Sequence, residues 1–294
     1  MKIRLALFVG ILLLLPYIGL LLSGGQWDEL APPYIGHASL APLVVVLLTL
    51  AGYLWLANFM IAARSGNAPL TMQRSYFAAM ALAGSVLGWL LVYLNRYVAT
   101  WLSLTEFDFA GALIQTLVFA ALVPAVLLTR AWLGSFSGLL KRLSHLHTLP
   151  TPRHDSATFV LIAWTLLLLM SCTAWPAYIS GLMWLAPLLL LFSLQLLWHE
   201  STILAGIPHG DWGRVVCAAL AGVVVGDLAL AVLLLAGGVP LHMPNLFFLQ
   251  LGFALFGLLC LQLGDVIAEQ WRGKTRAQVF KKKTFPIPVV VKKD

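Results

Sequence analysis

Asp227 is the residue of this chain whose type and position are most suggestive of chemistry. It lies near the middle of a long apolar segment, Val215–Gly237, directly after Gly226. A charged carboxylate at the centre of a bilayer costs about 3 kcal/mol or more, so such a group faces protein or water rather than lipid. Two interpretations follow. Asp227 is a proton or cation site, or it is a neutral acid that is hydrogen-bonded to a neighbouring helix.

The few other polar residues inside apolar segments limit the chemistry further. Gln115 and Gln250 lie in two other segments, and Asp265 lies near the end of the last one, where we expect it to face the interface beside Glu269. No segment contains a lysine or a central histidine, which argues against a retinal Schiff base and against a haem held by two histidines. The sequence also lacks serine-hydrolase, zinc-protease and phosphate-loop motifs. We therefore expect no cofactor.

Five of the seven histidines lie in two loops, together with acidic residues. One loop contains the weak candidates for metal ligands, which are His145, His147 and His154, followed by Asp155. The other contains the residues that an enzyme would use as acid–base groups, which are His199, Glu200, His209 and Asp211. The spacing does not match the repeated histidine boxes of integral-membrane desaturases and hydroxylases. Histidines at lipid headgroups are therefore the favoured interpretation, and we expect no bound metal.

Long apolar segments must position all of these residues. Eight segments approach or exceed the roughly 20 residues that a helix needs to cross a membrane. They are Leu5–Leu22, Leu40–Ala63, Phe77–Tyr97, Ala110–Leu128, Ala157–Ala177, Gly181–Trp198, Val215–Gly237 and Leu246–Ala268. Charged residues make up 10% of the chain, against about 25% in a soluble domain. The sequence predicts an all-α, polytopic membrane protein with eight transmembrane helices in a single domain, residues 1–270.

The distribution of basic residues predicts the orientation. All of the 18 lysines and arginines except Arg96 fall in the same alternating set of loops and termini. Loops that retain Lys and Arg stay on the cytoplasmic side of a membrane. Both termini are therefore expected in the cytoplasm, and the compact loops are typical of a bacterial inner membrane. The isoelectric point near 9.5 then reflects topology and membrane lipids as partners rather than binding to nucleic acid.

Three segments outside the spans have features of their own. The cytoplasmic loop 130–155 contains leucines at helical spacing, which predicts a short interfacial helix that anchors the loop or forms a docking surface. The outer loop 24–39 and the tail residues 280–294, within a basic cytoplasmic tail 271–294, are candidate contacts for protein partners.

Similar short sequence motifs recur in both halves of the chain. Leu-Ala-Pro-Leu begins at Leu40 and at Leu185, and Gln115 and Gln250 follow similar apolar pairs. Ala-Leu-Ala-Gly ends at Gly84 and at Gly222, and one further glycine follows four residues later in each half, so that Gly84 and Gly88 correspond to Gly222 and Gly226. Glycines four residues apart let helices pack closely. The pattern suggests two parallel four-helix repeats, residues 1–130 and 155–270, as in some transporters.

These features favour a non-catalytic membrane protein, either transporter-like or a subunit or scaffold of a larger complex. The scarcity of polar residues inside the spans favours a lipid-like substrate or a structural role. The alternative is a membrane-embedded enzyme that acts on a lipid-like substrate at the cytoplasmic leaflet with the histidines and acids of the inside loops.

Overall fold

The computed structural model describes residues 10, 11, 15, 18, 40–98, 109–149, 155–175, 179–198, 200, 202–237 and 246–272. This part of the chain is 86% helical and contains no strand, which confirms the all-α prediction. The predicted first span, Leu5–Leu22, lies outside the described residues except for isolated positions. The outer loop 24–39 and the tail residues 280–294 also lie outside them.

The helices are separated by short turns and by the undescribed connections. In chain order they are α1 (Ala41–Ser65), α2 (Pro69–Met72), α3 (Arg74–Val98), α4 (Phe109–Leu133), α5 (Ser137–Leu143), α6 (Asp155–Ala174), α7 (Ala186–Leu197), α8 (Gly213–Leu235) and α9 (Leu246–Arg272). In the described part of the chain, two 3-10 helices occur at Ser180–Trp184 and Ile207–His209. Pro42 and Pro187 lie in the first turns of α1 and α7, where the missing N–H of proline removes no helical hydrogen bond.

Among the described residues, five helices are long and apolar enough to cross a membrane, namely α1, α3, α4, α8 and α9. They cover the second, third, fourth, seventh and eighth predicted spans, with ends that differ by a few residues. The fifth and sixth predicted spans contain shorter apolar helices. The sixth is interrupted at Leu185, which separates the 3-10 helix Ser180–Trp184 from α7.

Helix α4 occupies a central position and packs on α1, α3, α8 and α9. Helix α8 packs mainly on α9 and also on α1, while α6 pairs with α7, which contacts α9. The core between them consists of large aliphatic side chains with almost no exposed surface, and these include Leu50, Met80, Leu94, Leu128, Leu169, Leu190 and Leu261.

Large apolar side chains also cover the outside of the helices. Trp55 and Phe59 on α1, Trp164 on α6 and Phe247 on α9 are each about 70% exposed. Apolar surfaces of this kind are costly in water but match a lipid environment. The arrangement agrees with a membrane protein.

One end of the bundle is basic. Arg64 at the end of α1 donates to the carbonyl of Ser135, just after α4, and Arg214 at the start of α8 pairs with Asp265 near the end of α9. We call this end, which carries Arg64, Arg74, Arg130, Lys141, Arg142 and Arg214, the basic end.

Candidate functional site

Helices α8 and α9 approach each other so closely that no side chain fits between them at Gly222. A Cβ atom added to Gly222 would lie 2.7 Å from the Cα atom of Gly257 and would overlap the carbonyl oxygen of Phe253. One turn further along α8, Gly226 lies against the ring of Phe253. Backbone contact of this kind fixes the depth and the rotation of one helix relative to the other.

Gly222 and Gly226 form a glycine stripe on α8. Asp227 directly follows this stripe and is hydrogen-bonded to α9. The Nε2 atom of Gln250 donates to the Oδ1 atom of Asp227 over 2.7 Å. At about 1.5 Å per residue, Asp227 lies about 12 Å before the end of α8, and Gln250 lies about 6 Å after the start of α9. The pair therefore lies in the half of the bundle away from the basic end.

The second polar atom of Gln250 is left without a partner. Its Oε1 atom is buried, and no donor among the described residues reaches it. An amide oxygen without a donor in an apolar environment costs about 1–3 kcal/mol. The Oε1 atom of Gln250 can therefore accept one more hydrogen bond.

Helices α3 and α4 repeat this arrangement with different polar residues. A Cβ atom on Gly84 would lie 2.8 Å from the carbonyl oxygen of Phe119, and Gly88 faces the Phe119 ring. Trp89 directly follows Gly88, and its indole N–H donates to the hydroxyl of Thr116 over 3.0 Å. Asp227 and Gln250 join α8 to α9 through a carboxyl and an amide. At the matching position, Trp89 and Thr116 join α3 to α4 through an indole and a hydroxyl. Gln115 is buried in α4.

A second pair of amides joins α7 to α9 deeper in the core. Gln195 and Gln262 are completely buried, and Nε2 of Gln262 donates to Oε1 of Gln195 over 3.3 Å. This bond fixes α7 against α9 on the side toward the basic end. Glu200 and Glu269 are also buried at that end.

The acids Asp211 and Asp265 have structural partners. Oδ1 of Asp211 accepts a hydrogen bond from the backbone N–H of Gly213 over 3.0 Å, which satisfies a free donor at the start of α8. Asp265 pairs with Arg214 rather than facing the tail alone. Two antiparallel helices with opposite charges near the same end are the sequence signal that indicates this pair.

The two loops that contain histidines dock on each other. The N–H of Leu146 donates to the carbonyl of Gly210 over 3.3 Å, and the N–H of Trp212 donates to the carbonyl of Leu143 over 3.0 Å. Trp212 also donates its indole N–H to the carbonyl of His147. The segments that carry His145, His147 and His209 therefore adjoin.

This docking does not gather a metal site among the described side chains. No group of three or more His, Cys, Asp or Glu residues in the described part of the chain is placed to hold a metal ion. His154 and His199 lie outside the described residues. Helix α5 contributes to the docking, because its Leu140 side chain would lie 3.1 Å from a Cβ atom on Gly213.

The sequence patterns indicate no partner for three residues of the bundle, Trp89, Thr116 and Arg64. Trp89 and Thr116 pair in α3 and α4, and Arg64 stacks on the ring of Phe136 with 3.9 Å from the guanidinium carbon to the ring centre. The Trp89–Thr116 pair nevertheless has a sequence signal, because Trp89 directly follows Gly88 just as Asp227 directly follows Gly226.

No protein-family model, curated protein or solved structure matches this chain.

Proposed function

We propose that this chain is a multi-pass protein of a bacterial inner membrane with a transporter-like, non-catalytic function, and that Asp227 and Gln250 form its proton-binding site. The observation that carries the proposal is the hydrogen bond from Gln250 to Asp227, between two helices whose backbones touch at Gly222. Acids inside spanning helices are costly and occur where protons or ions move, and Asp227 is partly buried.

The unpartnered Oε1 atom of Gln250 supports a site that takes up a proton. A proton on Oδ2 of Asp227 gives this carboxyl a donor, so that acid and amide form two reciprocal hydrogen bonds. When the proton leaves, Oε1 of Gln250 loses its donor. A hydroxyl or ammonium group of a substrate is the other kind of donor that could satisfy Oε1.

The matching contacts of the two helix pairs support the parallel repeat. Phe119 and Phe253 have the same role beneath their glycine stripes, and Thr116 and Gln250 each lie three residues before that phenylalanine. The contacts therefore favour an alignment in which Thr116, rather than Gln115, is the counterpart of Gln250. In this alignment the first half keeps a neutral pair at the position where the second half has an acid.

We further propose the complete set of eight spans. The 3-10 helix Ser180–Trp184 and α7 together have a length of about 28 Å, at about 2.0 Å and 1.5 Å per residue, which approaches the roughly 30 Å hydrocarbon core. Helix α6 adds the fifth span, and Leu5–Leu22 adds the first.

The transport function is tested with the full chain in liposomes. We expect uptake of at least one member of a panel of fluorescent phospholipids and amphipathic cations, and we expect uptake to rise when a proton gradient is imposed. Protein-free liposomes are the control. If no panel member moves with or without the gradient, the proposal fails in favour of a subunit or scaffold, which co-purifying proteins in mild detergent would identify.

The orientation is tested by fusions at both ends of the chain. We expect a green fluorescent protein fused after Asp294 to fluoresce in bacteria, and alkaline phosphatase fused there to be inactive, because the basic tail stays in the cytoplasm. A fusion before Met1 is expected to give the same result. One active and one inactive terminus would mean an odd number of spans and would contradict the eight-span arrangement.

A further inference from the structure

A second candidate site lies at the basic end. A shallow, open cavity of about 340 Å³ lies at the corner between the end of α1, the end of α4 and α5. Its lining includes the apolar side chains of Trp132, Leu133, Phe136 and Leu139 and the guanidinium of Arg64. This volume lies within the range of about 300–1,000 Å³ that is common for ligand pockets.

Arg64 is held in place beside this cavity. Its Nε atom donates to the carbonyl oxygen of Ser135 over 3.3 Å, and its guanidinium stacks on the ring of Phe136. None of the described carboxylates pairs with Arg64. The two terminal amino groups of the guanidinium are thus available, and their planar fork matches the oxygens of a phosphate.

The surrounding charge favours an anion. From Leu40 to Leu149 the chain contains two acidic residues, Glu106 and Asp108, and both lie in the connection from α3 to α4, which joins the ends of these helices away from the basic end. Of the other basic residues in this stretch, Arg96 lies near the far end of α3, and four lie at the basic end with Arg64, namely Arg74, Arg130, Lys141 and Arg142. The acids at this end, Glu200, Asp211, Asp265 and Glu269, lie on or beside α7, α8 and α9 and not on the helices that line the cavity, so a negatively charged ligand would relieve the excess of positive charge there.

We propose that the cavity binds the phosphate headgroup of an anionic phospholipid. Its position at the ends of spanning helices favours a lipid over a soluble phosphate, because Trp132 and the other apolar walls suit a glycerol backbone and the start of an acyl chain. Basic pockets on the cytoplasmic side between helices bind lipid headgroups in this way.

Native mass spectrometry of the full chain, titrated with phosphatidylglycerol or with phosphatidylcholine, tests this site. We expect the first phosphatidylglycerol molecule to bind more tightly than further phosphatidylglycerol molecules and than phosphatidylcholine. We expect Arg64→Gln to weaken the binding of this first molecule about tenfold, because a charge-assisted contact is lost. Arg74→Gln removes the same charge from the same end but leaves the cavity intact, and we expect it to change the binding less than about twofold, because scattered surface charges contribute little.

A steric variant keeps the charge. Gly138 lines the cavity, and a Cβ atom there meets no atom within 4 Å, so Gly138→Leu should fold normally and displace the lipid. The proposal is wrong if Arg74→Gln weakens binding as much as Arg64→Gln, because the lipid then responds only to the total surface charge. It is also wrong if glycerol phosphate competes at the same concentration as phosphatidylglycerol, or if Gly138→Leu binds the lipid like the unchanged chain.

Discussion

Replacing Gly222 with alanine is expected to destabilise the bundle by about 3 kcal/mol, the upper part of the range for overpacked cores. The added methyl group would meet the backbone of α9 at Phe253 and Gly257. A backbone cannot turn aside as a flexible side chain can, so α8 and α9 must move apart. Unfolding of the purified chain in a mild detergent, followed by circular dichroism as SDS is added, measures the change.

The glycines of this chain provide a graded set of controls. Gly84→Ala meets the carbonyl of Phe119 at 2.8 Å together with the side chain of Val123, and we expect a smaller loss than at Gly222. Gly252→Ala meets no atom within 4 Å and should be neutral or stabilise the helix by up to about 1 kcal/mol. Equal losses at Gly222 and Gly252 would show that α8 and α9 do not touch at the glycine stripe.

The sequence predicts five of the eight spans as long apolar helices, because a membrane imposes a simple rule on such segments. A long apolar run in a membrane must be helical, since every backbone N–H and C=O has to be satisfied within the segment. Helices α1, α3, α4, α8 and α9 follow from this rule. The interruption at Leu185 does not, because the run Gly181–Trp198 is apolar on both sides of the break and only Pro187 indicates where an α-helix begins.

The partners of the polar residues were harder to predict from the sequence. Asp227 and Gln250 were recognised as polar positions inside spans, but their pairing depends on the rotation of α8 against α9. That rotation is fixed by the contact between Gly222 and Gly257. A shift of one residue along either helix would turn Gln250 away from Asp227. The sequence comparison is wrong by one such residue, because it aligns Gln250 with Gln115, whereas the contacts align Gln250 with Thr116. The cavity beside Arg64 depends on the path of the chain after α4, which composition does not determine.

Replacing Asp227 with asparagine is expected to preserve the fold and abolish proton-linked transport. Asparagine has the shape of a protonated aspartic acid. Its amide oxygen can accept a hydrogen bond from Nε2 of Gln250, and its NH2 group can donate one to Oε1 of Gln250. The bundle should therefore be as stable as before or slightly more stable. Proton-driven uptake should fall by about 100-fold or more, as when a group that transfers protons is removed. Uptake by unchanged protein and by Asp227→Asn, in liposomes under the same gradient, gives this ratio.

Asp227→Leu distinguishes the effect of losing the hydrogen bond from the effect of losing the proton-binding group. Leucine leaves both polar atoms of Gln250 without a partner, and hydrogen bonds between helices in membranes are worth about 0.6 kcal/mol on average and up to about 1.7. We therefore expect Asp227→Leu to lose stability within this range while Asp227→Asn does not, although both lose transport. If Asp227→Asn is as unstable as Asp227→Leu, the carboxyl is held in its charged form by another donor. If Asp227→Asn folds and still transports with the gradient, Asp227 does not carry the proton, and its bond to Gln250 serves only to hold α8 on α9.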